Sequence, residues 1–141
     1  MPGLRSTKQA LFPFSEVKKN KREPPFIQNC NAQLKKMIAQ TPPPPYYAVI
    51  FTSVRTPGDN GYAEMAQQMV ALAQQQDGFL GMESAREDIG ITVSYWKDLA
   101  SIEKWRNHID HTIARNQGRS IWYSKFKTRI AFVERDNEFN R

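Results

Sequence analysis

The segment YYAVIFTSVR, residues 46–55, is the strongest constraint on what this chain can become. It is rich in β-branched and aromatic residues, which fit a pleated strand. Alternation puts Tyr47, Val49 and Phe51 on one side and Tyr46, Ala48, Ile50 and Val54 on the other. A strand with one wet face alternates apolar with polar residues, and this one does not. Both of its faces therefore require cover. Immediately before it stands Pro42-Pro43-Pro44-Pro45, a run that lacks backbone donors, fixes φ and favours a stiff extended spacer. The run divides the chain into an N-terminal arm, residues 1–45, and a body, residues 46–141.

The body alternates its periodicity. After the loop TPGDNG, in which Asp59 or Asn60 is placed to cap a helix, Tyr62, Met65, Met69, Leu72 and Ala73 recur at helical spacing, and Gly78 stops the run. FLGMESARE and GITVSYW read as two strands joined through Asp88 and Gly90. Asp98 then caps a second helix, with Leu99, Ile102, Trp105, Ile109 and Ile113 on one stripe, interrupted at Gly118. KFKTRIAFVER closes as the last strand. The order β-α-β-β-α-β predicts a ferredoxin-like α+β fold, with both helices on one face of a four-stranded antiparallel sheet. A second copy of the sheet is the simplest cover for the other face, which predicts a homodimer.

The chain of 141 residues carries a net charge of +6, which raises the question of nucleic acid. Residues 1–45 hold eight basic and two acidic residues, 8 − 2 = +6; the body therefore holds 20 − 8 = 12 basic and 14 − 2 = 12 acidic residues. A neutral body argues against a nucleic-acid fold, which needs a clustered cationic face. The arm reads as a solvated or docked charged segment. A single Cys30, no apolar run of membrane-spanning length and no apolar signal core point to a cytoplasmic protein without membrane association.

The element order, together with VSYW, the spacing W..H..H, and GR..WY.K...R.A.VER, resembles the antibiotic biosynthesis monooxygenase superfamily of dimeric α+β barrels. The likeness runs from about Tyr46 to Arg135. It implies a small oxygenase, cofactor-free or haem-degrading, or a member without a known reaction. The haem-degrading branch uses a second-helix Trp, a His ten residues later as iron ligand, and a first-strand Asn. Here Trp96 and Trp105 keep the spacing of that branch's two tryptophans, but the residue ten after Trp105 is Arg115. The first strand offers Thr52, Ser53 and Arg55 where the Asn is expected. Arginine stays protonated and cannot donate a lone pair to iron, and His111 could take the ligand's place only if the helix is locally shortened, so haem is disfavoured as a cofactor and no metal site is expected.

What the resemblance implies is a cofactor-free oxygenase acting on an aromatic or quinonoid compound. Such a reaction needs a dry aromatic pocket, a base and a donor that steadies an oxygen anion. Trp96, Trp105, Trp122 and Tyr123 are the candidate walls, His111 the base, and Arg119 or Ser53 the anion donor. Geometry leaves His111 open. From Leu99 the apolar stripe spans roughly 240° to 360°, whereas His111 falls near about 120°, away from the sheet in a regular helix. It turns inward only if the helix breaks before Gly118. For the tryptophans, core packing is the competing reading, and one of Trp122 and Tyr123 is expected to cap the core. The other class of function is a non-catalytic dimeric module that binds a small hydrophobic ligand.

Overall fold

The computed structural model describes residues 38–141. Residues 1–37 of the predicted arm, Cys30 among them, lie outside that range. The body is a four-stranded antiparallel sheet in the order β2-β3-β1-β4, built from β1 (Tyr46–Arg55), β2 (Phe79–Arg86), β3 (Gly90–Trp96) and β4 (Tyr123–Val133). Helix α1 (Tyr62–Gln74) links β1 to β2. Between β3 and β4 the sequence reading expects one helix, but the chain makes two, α2 (Leu99–Arg106) and α3 (Ile109–Gln117), followed by a π-helical turn over Gly118–Trp122.

Strand β1 is central, between β3 and β4, which is where a strand apolar on both sides belongs. The register Tyr47↔Trp96, Val49↔Ser94 and Val49↔Ile130 sets one face toward the helices. The register Ile50↔Val93, Thr52↔Ile91 and Ile50↔Arg129 sets the other. On that far face Tyr46 and Ala48 are each only 4 % exposed. Their cover comes from the segment before β1 and from the C-terminal tail. The Thr41 hydroxyl donates to the Tyr46 hydroxyl (3.1 Å), which donates to Asp136 (2.8 Å). The Ala39 N–H and the Tyr95 hydroxyl both donate to Glu83, at 2.9 and 2.7 Å. Farther along that face, Val54 and Ile91 are 37 % and 46 % exposed.

Local chemistry sets the helix ends. Asp59 accepts from the Gly61 and Ala63 N–H groups (3.1 Å each), so it serves the start of α1 although Gly61 holds the capping position. Asp98 accepts from the Ser101 N–H at 2.7 Å and caps α2 as its sequence position predicts. Gly78 turns the chain out of the α1–β2 connection at φ 84° and lies against Ser101 of α2.

Gly78 combines left-handed backbone with contact, whereas Gly61, at φ 81°, has no neighbour where a Cβ would stand. Gly78→Ala should therefore lower the melting temperature by roughly 5–15 °C, and clearly more than Gly61→Ala does. Thermal melts of the two variants check this; equal losses would show that Ser101 yields freely.

Candidate functional site

The connection between β3 and β4 creates the site. A continuous helix would bond the Trp105 and Arg106 carbonyls to N–H groups four residues on. Instead His108 takes an extended conformation (φ −60°, ψ 135°) and starts α3, whose Thr112 N–H returns to the His108 carbonyl at 2.9 Å. The carbonyls released at the end of α2 are taken up by side chains of α3. His111 Nδ1 donates to the Trp105 carbonyl at 3.0 Å, and Arg115 Nη1 donates to the Arg106 carbonyl at 2.9 Å. Asn107, a weak helix former, closes α2 with its side chain on Glu103 (2.9 Å).

The break rotates α3 off the apolar stripe read from the sequence. Ile109 and Ile113 are 72 % and 47 % exposed, and His111 faces the sheet side instead. Its imidazole lies flat on Trp105, with ring centroids 4.6 Å apart and planes 9° apart. Trp105 in turn stacks on Trp96 at 6.1 Å and 26°. Trp96 is 0 % exposed, donates its indole N–H to Ser94 (3.0 Å) and meets Phe79 edge-on. The three rings form a column from the core to the surface of a cleft.

That cleft lies between the helices and the inner face of the sheet and has a volume of about 910 Å³. Val49 and Phe51 form its floor, Met65 and Met69 of α1 one side, and Trp105 and His111 the other. This is the size and apolar character of a site for a small aromatic molecule.

The residues singled out by sequence divide into two groups. His111, Trp96, Trp105, Trp122, Tyr123 and Arg119 all line the cleft, whereas Ser53 does not. Ser53 is 1 % exposed and its hydroxyl accepts from Arg86 at 2.7 Å. Trp122 closes the π-helical turn, is 5 % exposed and donates its indole N–H to the Asn60 carbonyl at 2.9 Å, so it is the core cap. Tyr123 begins β4 and faces Phe51 (5.3 Å) and Phe126 (6.0 Å). Gly118 is what lets it do so: a Cβ there would stand 3.0 Å from the Tyr123 ring. Arg119 lies 6.0 Å over the Phe126 ring.

Sequence reasoning missed a second cluster. The Arg55 guanidinium sits 3.5 Å over the Tyr62 ring, Arg86 approaches the same ring at 5.8 Å, and Tyr62 meets both Trp122 and Tyr123 edge-on. Arg55 Nε is buried without an acceptor, and neither arginine has a carboxylate partner among the described residues. The alternation of β1 could have placed Arg55 on the inner face, since it lies in step with Tyr47, Val49 and Phe51. Arg115 was visible only as a residue at the wrong spacing for iron.

Electrostatics favours a neutral imidazole. Burial pulls the His111 pKa below its ordinary 6.5; the Trp105 carbonyl opposes this, and the Arg115 cation adds to the lowering. With Nδ1 holding its proton for Trp105, Nε2 carries the free lone pair. Burial, then the neighbouring Tyr62 hydroxyl, raises the Tyr123 pKa well above that of a free phenol, so Tyr123 stays neutral. Among the described residues no group of three or more His, Cys, Asp and Glu is arranged to hold a metal, and no helix is long and apolar enough to cross a membrane.

The chain resembles known proteins at both levels. Residues 45–117 match the model of the antibiotic biosynthesis monooxygenase family. YqjZ, an uncharacterised protein of Bacillus subtilis (strain 168), is 51 % identical over 104 residues, spanning 72 % of this chain and 91 % of its own. Among solved structures, the cofactor-independent oxygenase SnoaB of Streptomyces nogalater aligns with TM-score 0.57 at 9 % identity, over 64 % of this chain and 95 % of that one. A Pseudomonas aeruginosa protein aligns with TM-score 0.54 at 17 % identity, over 67 % of this chain and 97 % of its own. The β2-β3-β1-β4 sheet, the helices on one face and the family match agree: this chain belongs to the antibiotic biosynthesis monooxygenase family, with its ferredoxin-like α+β fold.

Proposed function

We infer that the protein is a cofactor-free monooxygenase acting on an electron-rich phenol or related quinonoid precursor. The observation that carries this reading is His111: a neutral imidazole, fixed in one tautomer, stacked on Trp105 at the wall of an open aromatic cleft. A non-catalytic binding module would not require an imidazole held this way, and a cleft of about 910 Å³ is not filled by Trp105 and Trp122. The relatedness in fold to SnoaB is consistent with the same class of chemistry.

The reaction balances without an external reductant. His111 Nε2 takes the phenol proton, and the electron-rich phenolate reduces O₂ at its para carbon, forming a C–O bond. Cleavage of the O–O bond with loss of one water leaves a quinone, so phenol plus O₂ gives quinone plus water. The protein orients the ring over Phe51 beside the edge of the Trp105–His111 stack, keeps water away and steadies the phenolate oxygen. Arg119 takes this last role, because its guanidinium makes no hydrogen bond or ion pair among the described residues. Ser53, engaged by Arg86, is unsuited to it.

Haem fits the residues poorly. The first strand presents Val49 and Phe51 to the cleft, both apolar, while Thr52 faces away and Ser53 is bonded to Arg86. Arg115, at the ligand spacing, is engaged with the Arg106 carbonyl. His111 has the right donor chemistry, but no polar group from β1 stands across the cleft from it.

Oxygen uptake with a panel of naphthols and hydroquinones tests the activity. Uptake should be independent of added haem, and His111→Ala should lower it by about 10²–10⁴-fold. Because burial lowers the His111 pKa from its ordinary 6.5, kcat/KM should fall on the acid side with a midpoint below 6.5, as the imidazole protonates. Uptake that needs haem, or an unchanged rate in His111→Ala, would contradict the assignment.

We also propose that the protein is a homodimer joined through the far face of the sheet. Val54 and Ile91 remain exposed there, beyond the part covered by residues 39–41. Sedimentation at micromolar concentration should give twice the 16.3 kDa chain mass, and Ile91→Lys should shift it toward the monomer. A wild-type monomer would show that the arm and tail alone cover the sheet.

A further inference from the structure

Three charged residues of the helical side line the cleft, Arg106, Arg115 and Arg119, and all three are basic. Lys127 also borders it, but pairs with Thr52 and so projects to the far face of the sheet. The body as a whole is balanced, with twelve acidic and twelve basic residues, so this is a local excess. Glu103 offsets Arg106 at 3.8 Å, but Arg115 and Arg119 have no carboxylate partner among the described residues. Cations gathered without counter-charge beside apolar walls repel one another, and an anion relieves that repulsion.

Arg115 is the best placed of them. It follows His111 by four residues on α3, so the two side chains share one helix face, and both line the cleft. Its Nη1 bond to the Arg106 carbonyl, an exposed one, orients the guanidinium, while Nη2 and Nε make no bond among the described residues. A donor fork held in advance loses little side-chain entropy on binding a carboxylate. The edge of the His111–Trp105 stack beside it borders the space left for the ligand's ring.

We propose that the cleft takes an aromatic ligand carrying a permanent negative charge, a hydroxyarene carboxylate being the type, and that Arg115 selects it. The inference deepens the oxygenase reading by naming the substrate class, and rests on it only for the location of the ring. Arg115 grips the carboxylate, the edge of the Trp105–His111 stack meets the ring, and the phenol hydroxyl is left for the in-plane lone pair of His111 Nε2. A cationic aromatic of the same size is rejected by the same residues.

Anaerobic calorimetry with 1-hydroxy-2-naphthoate and 1-naphthol, which share a ring and differ by the carboxylate, tests this without any turnover. The wild-type protein should bind the carboxylate at least about tenfold more tightly, and the preference should shrink as salt is raised. Arg115→Gln, which removes the charge, should lose the preference, read as the ratio of its two affinities. Arg115→Lys, which keeps the charge but not the fork, should retain part of it. Equal affinities in the wild type, or a preference that survives in Arg115→Gln, would overturn the proposal. The salt dependence is measured on the wild type and stands even where a variant folds poorly. Preference without oxygen uptake would retain the ligand class and discard the oxygenase reading; uptake without preference would do the reverse.

Discussion

Two side-chain hydrogen bonds across the α2–α3 break determine what this fold can do. His111 to the Trp105 carbonyl and Arg115 to the Arg106 carbonyl replace backbone bonds that a straight helix would have made. The Trp105 carbonyl is part-buried, where an unpaired acceptor costs about 1–3 kcal/mol, whereas the Arg106 carbonyl is exposed and open to water. With the two side-chain bonds, and with the His108 N–H also returning to Trp105 at 3.1 Å, the hydrogen-bond count is nearly conserved. The break is then decided by packing, and packing favours stacking the imidazole on Trp105.

The same bonds set the chemistry. Donation from Nδ1 fixes the tautomer, stacking fixes the ring, and burial with a nearby guanidinium keeps it neutral. These are the conditions a base needs before substrate arrives. The column Trp96–Trp105–His111 anchors that base to the fully buried centre of the sheet, so its position is inherited from the core. Across the cleft, β1 supplies only apolar floor, and the polar work falls to α3 and the π-helical turn. Extra-residue turns of this kind are frequent at functional sites, and here the turn sends Trp122 into the core and Tyr123 toward the cleft.

The fold was legible because its signals are local and periodic. The two-faced β1, the Gly78 stop, the Asp98 cap and the Asp88–Gly90 turn each state their structure within a few residues. The site was only half legible. Nothing in RNHID carries the Gly or Pro that usually marks a helix end, and Ile109 and Ile113 extend the stripe begun by Leu99. The break depends on contacts six and nine residues apart, which periodicity does not record. Ser53 looked like a free donor because its partner, Arg86, lies two strands away. Arg55 and Tyr62 lie at the end of β1 and the start of α1, on either side of one loop, and neither the strand nor the helix period pairs residues across a loop.

The central claim is that His111 is turned inward as a fixed, neutral base. With only two histidines in the chain, nitrogen NMR of the ¹⁵N-labelled imidazoles tests it directly, and His108→Gln assigns the signals. The account predicts that His111 is protonated on Nδ1 and bare on Nε2 at pH 7, with a titration midpoint below 6.5. An Nε2-protonated ring titrating at or above 6.5 would place His111 in solvent, and the site built around it would fall.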